Sequence, residues 1–291
     1  MTGFAACVVL YNPPPSVAQN IRTYAPFFDC LYVADNTPGG YDCSDLLACL
    51  NKDKIIILRF PSNPGIAKAL KTVCTMARND GHRFLLTMDQ DSWFPDNADF
   101  DALKLRIDCP NADDFGQFAI PYWPSTKNRE ETWYWSCSSG SVINLKNYGL
   151  INGFDEGLVV DLADFDLGFQ FYSIGKPTLV LNGFRFNHQV GYGTKSATIF
   201  GKTYSCRVYS PFRYYYFIRN DYILRRRYPQ WFKSLTGKDE IIAAIFCLKP
   251  RTSYMKAIIC AFIDAKRGKL GKYKPHSRFD KRLARSRDRG S

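Results

Sequence analysis

Four short runs of apolar and β-branched residues punctuate the first part of the chain, at positions 4–10, 30–34, 54–60 and 84–88. Segments of helical character separate them, at 14–25, 44–50 and 64–78. In the last of these, Ile66, Leu70, Val73 and Ala77 recur on one face, the period of an amphipathic helix. Strand–helix alternation of this kind predicts an α/β fold whose sheet is mostly parallel, with right-handed crossovers and helices on both faces. From about residue 115 the pattern changes to shorter predicted strands at 118–122, 133–136, 141–145 and 178–181, with a helix at 162–174. Beyond about residue 204 the chain reads as helices, 211–228 and 239–266, rich in aromatic and basic residues. The expected organisation is a catalytic-type α/β domain over 1–203, a helical extension over 204–267, and a basic tail over 268–291 that is low in apolar residues.

A chain of 291 residues that is 46% hydrophobic can bury a full core, and its composition is that of a globular protein. The N-terminal apolar run lacks a basic leader and a small-residue cleavage site, so it reads as a first strand and not as a signal peptide. No run approaches a membrane span of roughly 18 apolar residues. Ten cysteines occur singly, with no Cys-x-x-Cys pair, which argues against a structural zinc site and for a reducing, cytoplasmic setting. The net charge of +12 concentrates at the end: residues 266–289 hold eleven Lys or Arg against Asp280 and Asp288. Such a tail suits an anionic membrane surface, or is simply solvated. A nucleic-acid partner is not expected, because the charge follows no reading motif.

The fourth apolar run leads directly into Asp89-Gln90-Asp91-Ser92. In an extended segment, side chains at i and i+2 share a face, so Asp89 and Asp91 can converge on one hard cation such as Mg2+ or Mn2+. Open α/β sheets bind ligands at the carboxyl ends of their strands, which makes this a candidate site for a metal-bound diphosphate. The same spacing also occurs in solvated turns. A Gly-x-Gly-x-x-Gly fingerprint is absent after the first strand, where Pro13-Pro14-Pro15 stands instead, and this disfavours a nicotinamide cofactor. Asn12, Asp35 and Asn36 lie at the ends of the first two strands, where polar groups suit the base and ribose of a nucleotide. Asn63 and Gly65 open a helix whose N–H groups can face phosphate or need only ordinary capping. Ser139 and Gly140 permit a close approach of a sugar, though a tight turn explains Gly140 equally well. Trp93, Trp123, Trp133 and Trp135 are candidates for stacking on sugar rings or for plain packing.

The chain resembles family 2 glycosyltransferases of the GT-A fold, and within them the branch that uses dTDP-L-rhamnose. The resemblance rests on Val8-Val9-Leu10-Tyr11-Asn12-Pro13, Asp35-Asn36, Asn63-Pro64-Gly65-Ile66 and Thr87-Met88-Asp89-Gln90-Asp91-Ser92. It continues through Ser138-Ser139-Gly140-Ser141, Gly153-Phe154-Asp155-Glu156, Asp161-Leu162-Ala163-Asp164-Phe165-Asp166, His188-Gln189-Val190-Gly191 and Tyr214-Tyr215-Tyr216-Phe217-Ile218-Arg219-Asn220. It implies a nucleotide-sugar donor, a divalent metal held by Asp91, Asp89 and His188, and Asp89 alternatively on the ribose or sugar. It places the general base at Asp164, with Asp161 as the alternative base and Asp166 at the acceptor or at the helix start, where acids are favoured anyway. Arg219 is expected on the diphosphate or on an acceptor phosphate, or packed with a carboxylate. The implied reaction is inverting transfer to a lipid-linked glycan by an enzyme peripherally bound to the inner face of the cytoplasmic membrane, in surface-polysaccharide synthesis. The alternatives are another donor on the same fold, such as UDP-galactofuranose, or a non-catalytic glycan- or nucleic-acid-binding protein.

Overall fold

A computed structural model describes residues 3–122, 130–189, 193–199 and 201–274. Trp123 and the tail beyond residue 274 lie outside them. The chain divides into two compact units, one of Met1–Glu156 with Ala163–Gln189, the other of Gly157–Leu162 with Val190–Ser291.

The first unit is built on one sheet. Strands β1 (Phe4–Leu10), β2 (Cys30–Asp35), β3 (Ile55–Arg59) and β4 (Phe84–Asp89) run parallel. Helices α1 (Val17–Arg22), α2 (Ser44–Cys49) and α3 (Ile66–Asn79) make the crossovers. After β5 (Ser92–Trp93) and α4 (Phe100–Ile107) come β6 (Gln117–Ala119), β7 (Glu131–Trp133), β8 (Ser141–Asn144) and α5 (Leu145–Tyr148). Helix α6 (Ala163–Ser173), β9 (Thr178–Val180) and β10 (Asn187–His188) complete the unit. The sheet order is β3-β2-β1-β4-β8-β6-β9-β7, with β8 antiparallel to both neighbours. The chain winds outward from β1 to β3 and then returns to place β4 on the other side of β1. The crevice at the carboxyl ends of β1 and β4 is therefore the topological switch point of the sheet.

The GT-A-type α/β reading holds, and the first four strands match their apolar runs to within a residue at each end. Strand β1 is buried along its whole length, as a central parallel strand should be. Three local expectations are corrected. The first helix is shorter than 14–25, because Pro14 and Pro15 each disfavour helical backbone in the residue before them and Pro26 follows the helix in a separate 3-10 turn. The span 239–266 is two helices, α8 (Lys238–Cys247) and α9 (Arg251–Lys266), since Pro250 can neither donate a helical bond nor leave Lys249 helical. Helix α4 was not expected, although Asp99 caps it through a 2.8 Å bond from the Ala102 N–H and Phe100, Leu103 and Ile107 are buried at helical spacing.

The second unit contains an unexpected hairpin, β11 (Thr194–Ile199) and β12 (Lys202–Arg207), before α7 (Pro211–Arg227), α8 and α9. Its core joins Tyr214, Tyr215 and Ile218 of α7 to Tyr254, Ala257, Ile258 and Ala261 of α9. The short segment Gly157–Leu162 is strained: Val159, Asp161 and Leu162 all have φ near +60°. Arg219 and Asn220 hold it. The Asn220 amide donates to the carbonyls of Leu158, Val160 and Asp161 at 2.8–2.9 Å. The fully buried Arg219 guanidinium donates to Gly157, Leu158 and Gly271. Arg219 thus satisfies main-chain carbonyls instead of a carboxylate.

Arg219→Met keeps the apolar stem but removes the buried donors that reach the carbonyls of Gly157, Leu158 and Gly271. It should destabilise the protein by about 3 kcal/mol in a denaturant titration. A midpoint equal to that of the wild type would refute the clamp.

Candidate active site

The site forms where β4 ends. Gln90, between the two carboxylates, turns to the opposite side and grips the end of β1: the Tyr11 N–H donates to its Oε1 (2.8 Å), and its Nε2 donates to the Tyr11 carbonyl (3.2 Å). The Asn20 side chain donates to the Gln90 carbonyl at 2.9 Å. Asp89 and Asp91 are left facing away from that joint, as the alternation of an extended chain requires.

His188 reaches them through a ribbon too short to be read from sequence. Strand β10 pairs antiparallel with β5, setting His188 opposite Ser92, and the Gln189 N–H donates to the Asp91 carbonyl at 3.2 Å. One ligand atom from each of Asp89, Asp91 and His188 lies within 4.8 Å of the others. Two serines support the cluster. The Asp89 N–H donates to Ser139 Oγ (3.1 Å), Ser139 donates to Ser92 Oγ (2.8 Å), and Ser92 Oγ lies 2.6 Å from His188 Nδ1. Burial lowers the His188 pKa, against the pull of Asp91 in the other direction, and so favours the neutral ring that can ligate a metal. Asp91 Oδ1 is buried without a hydrogen bond among the described residues; His188 Nδ1 is 3.4 Å away but is engaged with Ser92. A buried carboxylate oxygen left in that state, with a second carboxylate and an imidazole beside it, fits a divalent cation.

Asp164 lies in the first turn of α6 and meets the same turn of chain. Its Oδ2 accepts the Ser138 N–H (3.2 Å) and its Oδ1 the Phe165 N–H (3.0 Å), and the residue stays partly exposed. The Cys137 thiol is pushed up to about 12 by burial and then by the charges of Asp164 and Asp89, so it stays neutral beside both. Trp135 stacks on Phe165 with centroids 4.0 Å apart, and a Cβ at Gly168 would lie 2.5 Å from the Trp135 backbone. That close approach explains the glycine within α6. Gly140 (φ +76°) likewise has Phe186 where a Cβ would go.

Other expected site residues divide. Asn36 is buried at the end of β2, and its Oδ1 has no hydrogen-bond partner among the described residues. Asn12 is exposed, with φ +43° and its N–H on Thr37 Oγ1. Asp35 is fully buried and committed to its own loop, accepting from the N–H groups of Thr37 and Tyr41 and pairing with Arg59 at 3.3 Å. Gly65 is the cap of α3, at φ +104°, and Asn63 stands two residues before it with φ +42°. Asp166 is buried and accepts from Gln170 at 2.7 Å, which removes it from contact with an acceptor. The Asp161 carboxylate is held by Arg213 at 2.9–3.1 Å, within the second unit. Arg219, buried on carbonyls, has no face toward a phosphate. Gln90 and Ser92 were not singled out in the sequence; their places inside the Asp-Gln-Asp-Ser run were the available signal.

The family model described as "Glycosyl transferase family 2" matches residues 7–159, just over half of the chain and most of the sheet that carries this site. The chain belongs to the family 2 glycosyltransferases. It is 25% identical over 293 residues to the dTDP-rhamnosyl transferase RfbF of Shigella flexneri, covering 91% of this chain and 96% of that protein. Among solved structures it resembles the mannosyltransferase PcManGT of Pyrobaculum calidifontis, in complex with GDP-Man and Mn2+ (TM-score 0.55, 13% identity, 98% of this chain and 79% of that one). It also resembles GalNAc-T7 with UDP, GalNAc and Mn2+ (TM-score 0.52, 12% identity), where it covers 65% of its own length and 44% of the other chain. These two likenesses show the glycosyltransferase fold.

Two variants test the cluster without a turnover assay. Asp91→Asn should weaken Mn2+ binding strongly. Ser92→Ala, which removes only the hydroxyl beside His188, should weaken it by roughly 10–100-fold in calorimetry. Unchanged Mn2+ affinity in both would remove the cluster as a metal site.

Proposed function

We propose that this glycosyltransferase transfers L-rhamnose from dTDP-L-rhamnose, with inversion, to a hydroxyl of a lipid-linked glycan during assembly of a bacterial surface polysaccharide. The observation that carries the donor is the likeness to the Shigella flexneri dTDP-rhamnosyl transferase along 91% of the chain. The motifs shared with the rhamnosyl branch support it. A divalent ion on Asp91, Asp89 and His188 would offset the charge of the leaving diphosphate.

In this reading Asp164 is the general base. It is partly exposed and fixed at the mouth of α6 by the Ser138 N–H, and it shares the turn at Cys137–Ser139 with Asp89. The acceptor oxygen attacks the anomeric carbon, its proton passes to Asp164, and the bond from that carbon to the diphosphate oxygen breaks. Attack opposite the leaving group converts a β-linked donor into an α-rhamnoside. Asn36, whose buried carbonyl oxygen has no partner among the described residues, would accept an N–H from the nucleobase. Trp135, stacked on Phe165, is the aromatic surface for a sugar ring.

Asp164→Asn should lower kcat by about 10²–10⁴-fold while dTDP binding stays intact. Full activity would exclude Asp164 as the base. Across a panel of dTDP-rhamnose, UDP-galactofuranose, UDP-glucose and UDP-N-acetylglucosamine, nucleotide release should be confined to dTDP-rhamnose. It should stop with chelator and return with Mg2+ or Mn2+. Release from another donor would overturn the rhamnosyl assignment, and indifference to chelator would overturn the metal.

A further inference from the structure

Helix α9 is apolar on two faces. Its inner face, with Tyr254, Ala257, Ile258 and Ala261, fills the core against α7. Its outer face carries Met255, Ile259 and Ile263, spaced i, i+4, i+8, and they are 45%, 55% and 39% exposed. Phe246, 47% exposed at the end of α8, is adjacent to this line: the Arg251 guanidinium lies over its ring at 5.9 Å and donates to its carbonyl. A helix with two apolar faces needs a partner for each, and among the described residues only the inner face has one. The exposed line runs for about 12 Å along the helix.

The charge around it has one sign. Residues 241–274 contain eight Lys or Arg and a single acid, Asp264. That acid is buried against the Tyr215 hydroxyl and paired with Lys269, so it offers no outward charge. Arg251, Lys256, Lys266 and Arg267 are exposed at both ends and along the edge of the apolar line. No helix among the described residues is long and apolar enough to cross a membrane.

We propose that the outer face of α9 is a docking surface for an anionic lipid bilayer. Met255, Ile259 and Ile263 enter the headgroup boundary, and the flanking basic groups meet the lipid phosphates. Apolar insertion beside cationic residues is the pattern of helices that lie in a membrane interface. The inference deepens the lipid-linked acceptor of the proposed function and rests on it for its biological sense, though its physical basis is this face alone. It assigns insertion to α9, leaving to the terminal tail only added charge.

The test is flotation of the full chain with phosphatidylcholine vesicles, with and without about one-third phosphatidylglycerol. Nucleotide release from dTDP-rhamnose is measured in parallel in solution. Wild type should float with the anionic vesicles. Ile259→Asp should cut the bound fraction about tenfold or more, and Lys266→Glu with Arg267→Glu by roughly fivefold for each charge removed. Both variants should keep the wild-type melting temperature and nucleotide release. Ile259→Trp should show a blue-shifted emission only with anionic vesicles. The proposal fails if wild type does not float, or if Ile259→Asp floats equally well. It also fails if wild type is a dimer that Ile259→Asp converts to monomer, which would make the face a contact between copies. Loss of nucleotide release in every form would instead count against the transferase reading and leave the vesicle result standing.

Discussion

The site depends on the amide of Gln90. By exchanging two hydrogen bonds with the backbone of Tyr11, it joins the ends of the two central strands on either side of the topological switch point. Because the residue between the two carboxylates is spent on that joint, Asp89 and Asp91 must face the other way. The rest of the cluster follows: the Asp89 N–H meets Ser139, Ser139 meets Ser92, and Ser92 sits opposite His188. A single side-chain amide thus sets the face of the two carboxylates, and the pairing of β5 with β10 brings His188 to them.

Burial sorts the acidic residues by what they can do. Asp166 and Asp164 lie two positions apart on α6, yet one is enclosed with Gln170 and the other remains partly exposed beside the Ser138 N–H. Asp161 is taken up by Arg213. The same sorting separates Asp35, which organises its own loop, from Asn36, whose carbonyl oxygen has no partner among the described residues. In the first pair the difference is exposure, and in the second it is how many of the polar atoms are already engaged within the loop.

Much of this was legible in the sequence. The central strands announce themselves as short apolar runs bounded by turn residues, and the spacing of Asp89 and Asp91 gives their shared face directly. His188 is different. Its partner ribbon is two residues long on each side, too short to leave a period of its own, so only its position in a motif pointed to it. The hairpin of β11 and β12 escaped notice because its residues are mostly polar and exposed, and alternation carries no signal when neither face is buried. Arg219 and Asn220 were visible as a motif, but their role was not. A buried arginine that serves carbonyls looks the same in sequence as one that binds phosphate.

The clamp made by those two residues bears on how the polypeptide can be divided. The family match ends at residue 159, inside the strained segment Gly157–Leu162, while the donors that hold the segment's carbonyls lie some sixty positions later. During synthesis, the carbonyls of Leu158, Val160 and Asp161 emerge long before the Asn220 amide that binds them, so the left-handed backbone at Val159, Asp161 and Leu162 lacks that clamp until α7 is complete. A fragment ending before α7 would lose that fastening, and Val159, Asp161 and Leu162 would relax toward ordinary loop conformations. The helical C-terminal unit is therefore no dispensable appendage: the chain that immediately precedes α6 takes its shape from it.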